Sequence, residues 1–131
     1  MRFWILVKLN SWLYILLHYI TIASGGRTMI KNVIVGSTYT DIVSVPEGTG
    51  YANLGIYFCN TTNEDDIIDI FVNGTGNSPS DKTKVVASLP IPNKETFYFG
   101  SEKFILAEGE SIGAICEIGG RISATVTFTD I

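Results

Sequence analysis

The sequence predicts an all-β protein: a single antiparallel β-sandwich, jelly-roll-like and of about eight strands, preceded by an apolar N-terminal extension. Two observations carry this expectation. From Met29 onward, apolar and polar residues alternate with period two in one short run after another, the mark of half-buried strands. Turn-forming residues separate most of these runs, and no window in this region sustains a helical period. Strands of this kind must bury their apolar faces against a second sheet, so a sandwich follows, with a partly closed barrel as the alternative.

In order, the runs are KNVIV, TDIVSV, YANLGIYFC, DIIDIFVN, KTKVVAS, ETFYF, EKFILAE, ESIGAICE and RISATVTFT. The last is the most regular. Ile122, Ala124, Val126 and Phe128 share one face, and Ser123, Thr125, Thr127 and Thr129 share the other. In the third run the inward set is Leu54, Ile56 and Phe58; in the fourth it is Ile68, Ile70 and Val72. Pro46-Glu47-Gly48 fits a turn, and Glu108-Gly109 reads as a hairpin tip. Pro90 and Pro92 each remove a backbone donor, which assigns them to a strand end or a sheet edge. Residues 73–81, NGTGNSPSD, form a long loop with mobility as the expectation and partner contact as the alternative, which makes Asn77 and Ser78 candidate contact residues.

At 131 residues the chain has room for one domain, residues 29–131, and the extension, residues 1–28. With 46% hydrophobic residues, a packed core is well supplied. Charge is divided unevenly. The extension carries Arg2, Lys8 and Arg27 and no acid, whereas residues 29–131 carry six basic and thirteen acidic side chains, a net charge of −7. Such a domain repels phosphate backbones, and no basic stripe interleaved with aromatics is present, so nucleic acid is excluded as a partner.

Residues 1–28 admit three readings. Early positive charges, an apolar stretch and small residues outline a secretory signal, but Lys8, Asn10, Ser11 and His18 interrupt the apolar core. A membrane anchor is weaker, because about 20 predominantly apolar residues are needed to span a bilayer. The favoured reading is an upstream start codon, with the domain opening at Met29, where charge and periodicity both change; no stable membrane insertion of residues 29–131 is expected.

Motifs for chemistry are missing or fail on spacing. The segment NGTGNSPSDKT lacks the glycine that a phosphate-cradling loop needs before its lysine; Asp81 stands there instead. Glu64, Asp65, Asp66 and Asp69 lack EF-hand spacing, and their expected role is to bond nearby backbone groups together with Asn60 and Asn63. The single histidine, His18, lies in the extension, which leaves the domain without histidine-based acid–base chemistry or a four-ligand zinc site. No enzyme, metal or cofactor is expected. Cys59 and Cys116 read as free, buried thiols in preference to a bridge. Asn60 and Asn73 head glycosylation sequons that matter only in a eukaryotic secretory pathway.

The order IKNVIVGSTYTDIVSVPEG, IYFCNTT, VVASLPIPNKETFYF, EKFILAEGESIGAICE and ISATVTFTDI resembles small all-β virion structural proteins of tailed bacteriophages, of the tail, neck or head-decoration type. Its most specific parts are Leu89 to Thr96 and Leu106 to Ala114, and it covers nearly everything after Met29. The resemblance implies a non-enzymatic assembly or attachment protein, a homo-oligomer that binds other virion proteins and resides in the virion after assembly in the host cytoplasm. Tyr98, of opposite parity to Phe97 and Phe99, faces outward and could anchor such an interface, as could Tyr57. The alternative is a module on a tail fibre binding a receptor or host surface glycan through Tyr39, Tyr51, Tyr57 and Tyr98. A secreted or cell-surface bacterial adhesin follows if residues 1–25 are a true signal.

Overall fold

A computed structural model of the chain describes residues 27–131. The three readings of the N-terminal extension fall on residues outside that range, apart from Arg27 and Thr28. Eight strands make up the fold: β1 (Thr28–Val35), β2 (Thr40–Ser44), β3 (Tyr51–Asn60), β4 (Asp66–Asn73), β5 (Lys84–Ile91), β6 (Thr96–Leu106), β7 (Ser111–Cys116) and β8 (Ile122–Asp130). No helix occurs among the described residues.

The strands form two four-stranded sheets, ordered β1-β8-β3-β6 and β2-β7-β4-β5, and every pairing is antiparallel. The logic is that of a ribbon folded in half: β4 pairs with β5, β3 with β6, β2 with β7 and β1 with β8, the pairs falling alternately in one sheet and the other. Additional β3–β8 and β4–β7 pairing joins the pairs within each sheet. This is the jelly-roll arrangement of two Greek keys. The sandwich expectation therefore holds, and the barrel alternative does not.

Nine alternating runs become eight strands because ETFYF and EKFILAE are one element. Gly100 joins them at φ 95°, and the β3–β6 register shifts twice along its length. A positive φ lets the strand turn without ending, which only glycine does cheaply. Elsewhere the punctuation works as read. Gly109 has φ 81° in the β6–β7 turn, closed by Glu110 N–H donating to the Ala107 carbonyl at 3.1 Å. Pro90 lies on β5, an edge strand, and Pro92 just beyond its end. Thr49 N–H donates to the Pro46 carbonyl, closing the β2–β3 turn, with Gly48 at φ 83°.

The core lies between the sheets. Leu54, Ile56 and Phe58 from β3 meet Ile68 and Ile70 from β4, Ile112 and Ala114 from β7, and Ile122, Ala124 and Val126 from β8, all buried. Each large side chain buried here contributes ~1.5–3 kcal/mol of transfer free energy. Val72 is half-buried and packs against this core, in keeping with the inward set of β4. One expectation needs correction. Thr129, assigned to the solvent face, is buried near the end of β8. Phe71, on the outer face of its sheet, is buried as well, because Tyr39 packs edge-on at 5.9 Å between centroids and the Lys84 ammonium lies 5.5 Å from its ring.

Candidate functional site

The register of the β1-β8-β3-β6 sheet sets its outward residues in rows. Asn32 pairs with Thr125, Thr125 with Tyr57, and Tyr57 with Tyr98, forming one row across all four strands. A second row runs Ile34, Ser123, Cys59, Thr96, and a third runs Ile30, Thr127, Gly55. Their inward neighbours Phe58, Ile56, Ala124 and Val126 are buried, which fixes the outward direction of these rows. Among the described side chains in these rows there is no carboxylate, ammonium or guanidinium group.

Tyr57 and Tyr98 dominate the face. They are 49% and 42% exposed, their ring centroids lie 4.7 Å apart, and their planes are inclined at 47°. Tyr98 lies across Gly55, where a Cβ would collide with its hydroxyl. The absent side chain makes a slot that holds the ring against the sheet and beside Tyr57. The Asn32 side-chain amide donates to Thr125 Oγ1 at 2.9 Å, so the polar half of the row is ordered as well.

Of the six residues nominated from the sequence, the structure brings together two. Tyr57 and Tyr98 form the pair above. Asn77 and Ser78 are exposed in the β4–β5 connection, at the far end of the sandwich from the Asn60–Thr96 end near which the tyrosines sit. That connection is pinned at several points. Thr75 Oγ1 donates to the Glu108 carbonyl at 2.9 Å, Asn77 N–H to the Gly74 carbonyl at 3.0 Å, and Thr83 N–H to the Ser80 carbonyl at 3.0 Å. Tyr39 belongs to the outer face of the other sheet, over Gly113, and Tyr51 packs on Phe128 with centroids 4.4 Å apart. The Ile and Thr members of the face went unnominated, although the even positions of TMIKNVIV and the odd ones of ISATVTFTD carried the signal.

The acidic group has a structural use. The buried Asp66 carboxylate accepts from the backbone N–H groups of Ile67 (2.8 Å), Ile118 (3.0 Å) and Gly119 (3.1 Å), which ties the β7–β8 turn to β4. Asp65 Oδ1 accepts from the Asn93 backbone N–H at 2.9 Å and its side-chain amide at 3.2 Å, and these bonds hold its carboxyl below the usual aspartate value. Arg121 donates to the Asp65 carbonyl at 2.7 Å and pairs with Glu64 at 2.8 Å. Asp69 Oδ1 accepts from Ser88 N–H at 2.6 Å, and Lys84 lies 3.5 Å from Oδ2. Among the described residues, no three His, Cys, Asp or Glu side chains are grouped so as to hold a metal ion.

Both sequon asparagines are buried. The Asn60 amide donates to the carbonyls of Glu64 (2.8 Å) and Ile91 (3.0 Å), and the Asn73 amide donates to Tyr39 Oη (2.9 Å) and Ser111 Oγ (3.2 Å). Neither nitrogen can carry a glycan in this fold. The cysteines are free, as expected, but differ in placement. Cys116 points into the core from one sheet, and burial, aided by the nearby Asp66 and Asp69 charges, pushes its thiol up to about 12. Cys59 points outward from the other sheet and is partly exposed, which corrects the expectation of two buried thiols.

A concavity of about 340 Å³ lies on the outer face of the β2-β7-β4-β5 sheet, lined by Ile67, Asp69, Ser88, Ile115, Cys116 and Glu117. Asp69 is already held by Ser88 and Lys84, so this cleft offers no free pair of groups for acid–base work. No protein-family model matches the chain, and no curated protein sequence matches it.

Proposed function

We propose that the protein is a non-enzymatic structural subunit of a bacteriophage particle, a component of tail, neck or capsid that binds other virion subunits. The observation that carries this reading is that the outward rows of the β1-β8-β3-β6 sheet hold no charged group among the described side chains, in a domain whose net charge is −7. A surface with Tyr57 and Tyr98 toward one edge and Ile30 and Ile34 along the other can be desolvated there without stranding a charge. A jelly roll serves many functions, viral capsid subunits and lectins among them, so the face and the sequence resemblance support this reading more than the fold does. The test is mass spectrometry and immunoblotting of density-purified particles. The protein is expected at a fixed stoichiometry to the major components, and its absence from intact particles would overturn the proposal.

A second reading is favoured by one observation. The paired, exposed rings of Tyr57 and Tyr98, in line with Asn32 and Thr125, offer aromatic surface beside hydrogen-bonding groups. That combination suits the apolar face and hydroxyls of a host glycan. Titration of host surface polysaccharide, followed by tyrosine fluorescence, separates the two. Saturable binding lost in Tyr98→Ala supports glycan recognition, and an unchanged signal leaves assembly as the reading.

A further inference from the structure

A sandwich of two open sheets has four edge strands, each with a row of unpaired backbone groups that invites another strand unless something blocks it. Three of the four edges here are blocked. β2 is five residues long, and its register with β7 shifts between Asp41 and Val43. β5 carries Pro90, a left-handed Ser88 at φ 53° and two register shifts against β4. β6 is broken at Gly100 and shifts register twice against β3. β1 differs from all of these. Its eight residues pair with β8 in unbroken register, and it contains no proline, glycine or positive φ. It also exposes Ile30 and Ile34, at 67% and 55%.

We propose that β1 pairs antiparallel with β1 of a second copy about a two-fold axis at Asn32, so that two four-stranded sheets become one of eight. The occupant is a second copy because β1 is self-complementary. About Asn32, the outward positions two residues away are both isoleucine, and the core-facing positions three residues away are Met29 and Val35. A two-fold interface repeats every contact between i and j as one between j and i, so the apolar pairs Ile30–Ile34 and Met29–Val35 each occur twice. Charge selects the same strand. Copies that each carry −7 over residues 29–131 repel wherever acidic loops meet, whereas β1 has no carboxylate and one cation, Lys31.

Lys31 also chooses the register. A two-fold axis at residue 31 would set two ammonium groups directly opposite, which is unfavourable. Centring one residue later sets Lys31 against Val33 of the second copy, Ile30 against Ile34 and Asn32 against Asn32. The four exposed isoleucines then form two cross-strand pairs, and the uncharged rows of the face continue across the junction. This inference deepens the assembly reading and rests on it only for its biological purpose.

The full-length chain is tested by sedimentation velocity over a concentration series, together with two variants. Wild type is expected to dimerise. Ile30→Glu with Ile34→Glu places carboxylates opposite one another and raises the dimer dissociation constant at least tenfold. Ile30→Glu with Ile34→Lys returns it to within about threefold of wild type, because this register alone sets residue 30 against residue 34. Asn32→Cys supplies a check without a charge change: opposed strand residues lie ~4.5–5.5 Å apart, within disulfide range, so mild oxidation yields a covalent dimer through residue 32. A monomeric wild type, a double-glutamate variant that folds and still dimerises, or Asn32→Cys chains that do not cross-link would overturn the pairing. Particle association is measured separately, so a monomeric protein found in virions sinks the pairing alone, and a dimer absent from virions sinks the functional reading alone.

Discussion

At the scale of single residues, the two cysteines show how one residue type acquires opposite chemistry from strand parity. Cys59 follows the buried Phe58 and therefore points out; Cys116 follows the outward Ile115 and points in. Only a thiolate reacts readily, and Cys116, with its pKa pushed up to about 12, supplies almost none at neutral pH. Thiol titration at pH 8 should therefore find one reactive cysteine in the native protein, assigned to Cys59 by peptide mapping, and two in denaturant. Asp65 makes a prediction about pH. Its bonds to Asn93 lower its folded pKa below the ordinary 3.8. The stability it contributes is thus present above the unfolded value and lost as pH falls through the folded one. Asp65→Asn should therefore lower stability at neutral pH and converge with wild type in acid, flattening the acid-side loss of stability, as measured by urea unfolding at a series of pH values.

At the scale of elements, β6 shows a local device serving the sheet. Gly100 has φ 95°, and a Cβ there would meet the Leu54 carbonyl oxygen at 2.9 Å. Backbone strain and collision with a backbone atom act together, so Gly100→Ala should destabilise the fold by ~1–3 kcal/mol in chemical denaturation. In both sheets a tyrosine lies over a glycine on the neighbouring strand, Tyr98 over Gly55 and Tyr39 over Gly113. The alternation of YANLGIYFC and ESIGAICE was legible in the sequence, and so were the inward sets of β3 and β8. The tyrosine–glycine pairs were not, since each joins residues more than 40 positions apart through register alone.

At the scale of the molecule, the two ends and two faces of the sandwich divide the labour. Asp66, Asp65, Asn60 and Arg121 lock the connections at one end, and Asn73, Tyr39, Thr75 and Glu108 do so at the other. Apart from Glu102 on β6, the acids occupy the loops, the β2-β7-β4-β5 sheet and the ends of strands, and the three outward rows of the opposite face carry no charged group among the described side chains. Particle association and strand pairing, if measured, both bear on that face.

The sequence by itself determined the class of fold, most strand positions, the turn chemistry and the charge of −7, because alternation, proline, glycine and ionisable groups act over a few residues. It also identified Tyr98 as outward-facing by parity. Tertiary structure alone decided which strands are neighbours, and hence that Tyr57 meets Tyr98 while Asn77 and Ser78 lie elsewhere. It decided that both sequon asparagines are buried, and that β1, among the described residues, is an edge strand in unbroken register with its neighbour. Strand neighbours are chosen by the joint burial of two sheets, a property of the whole chain that no local pattern encodes.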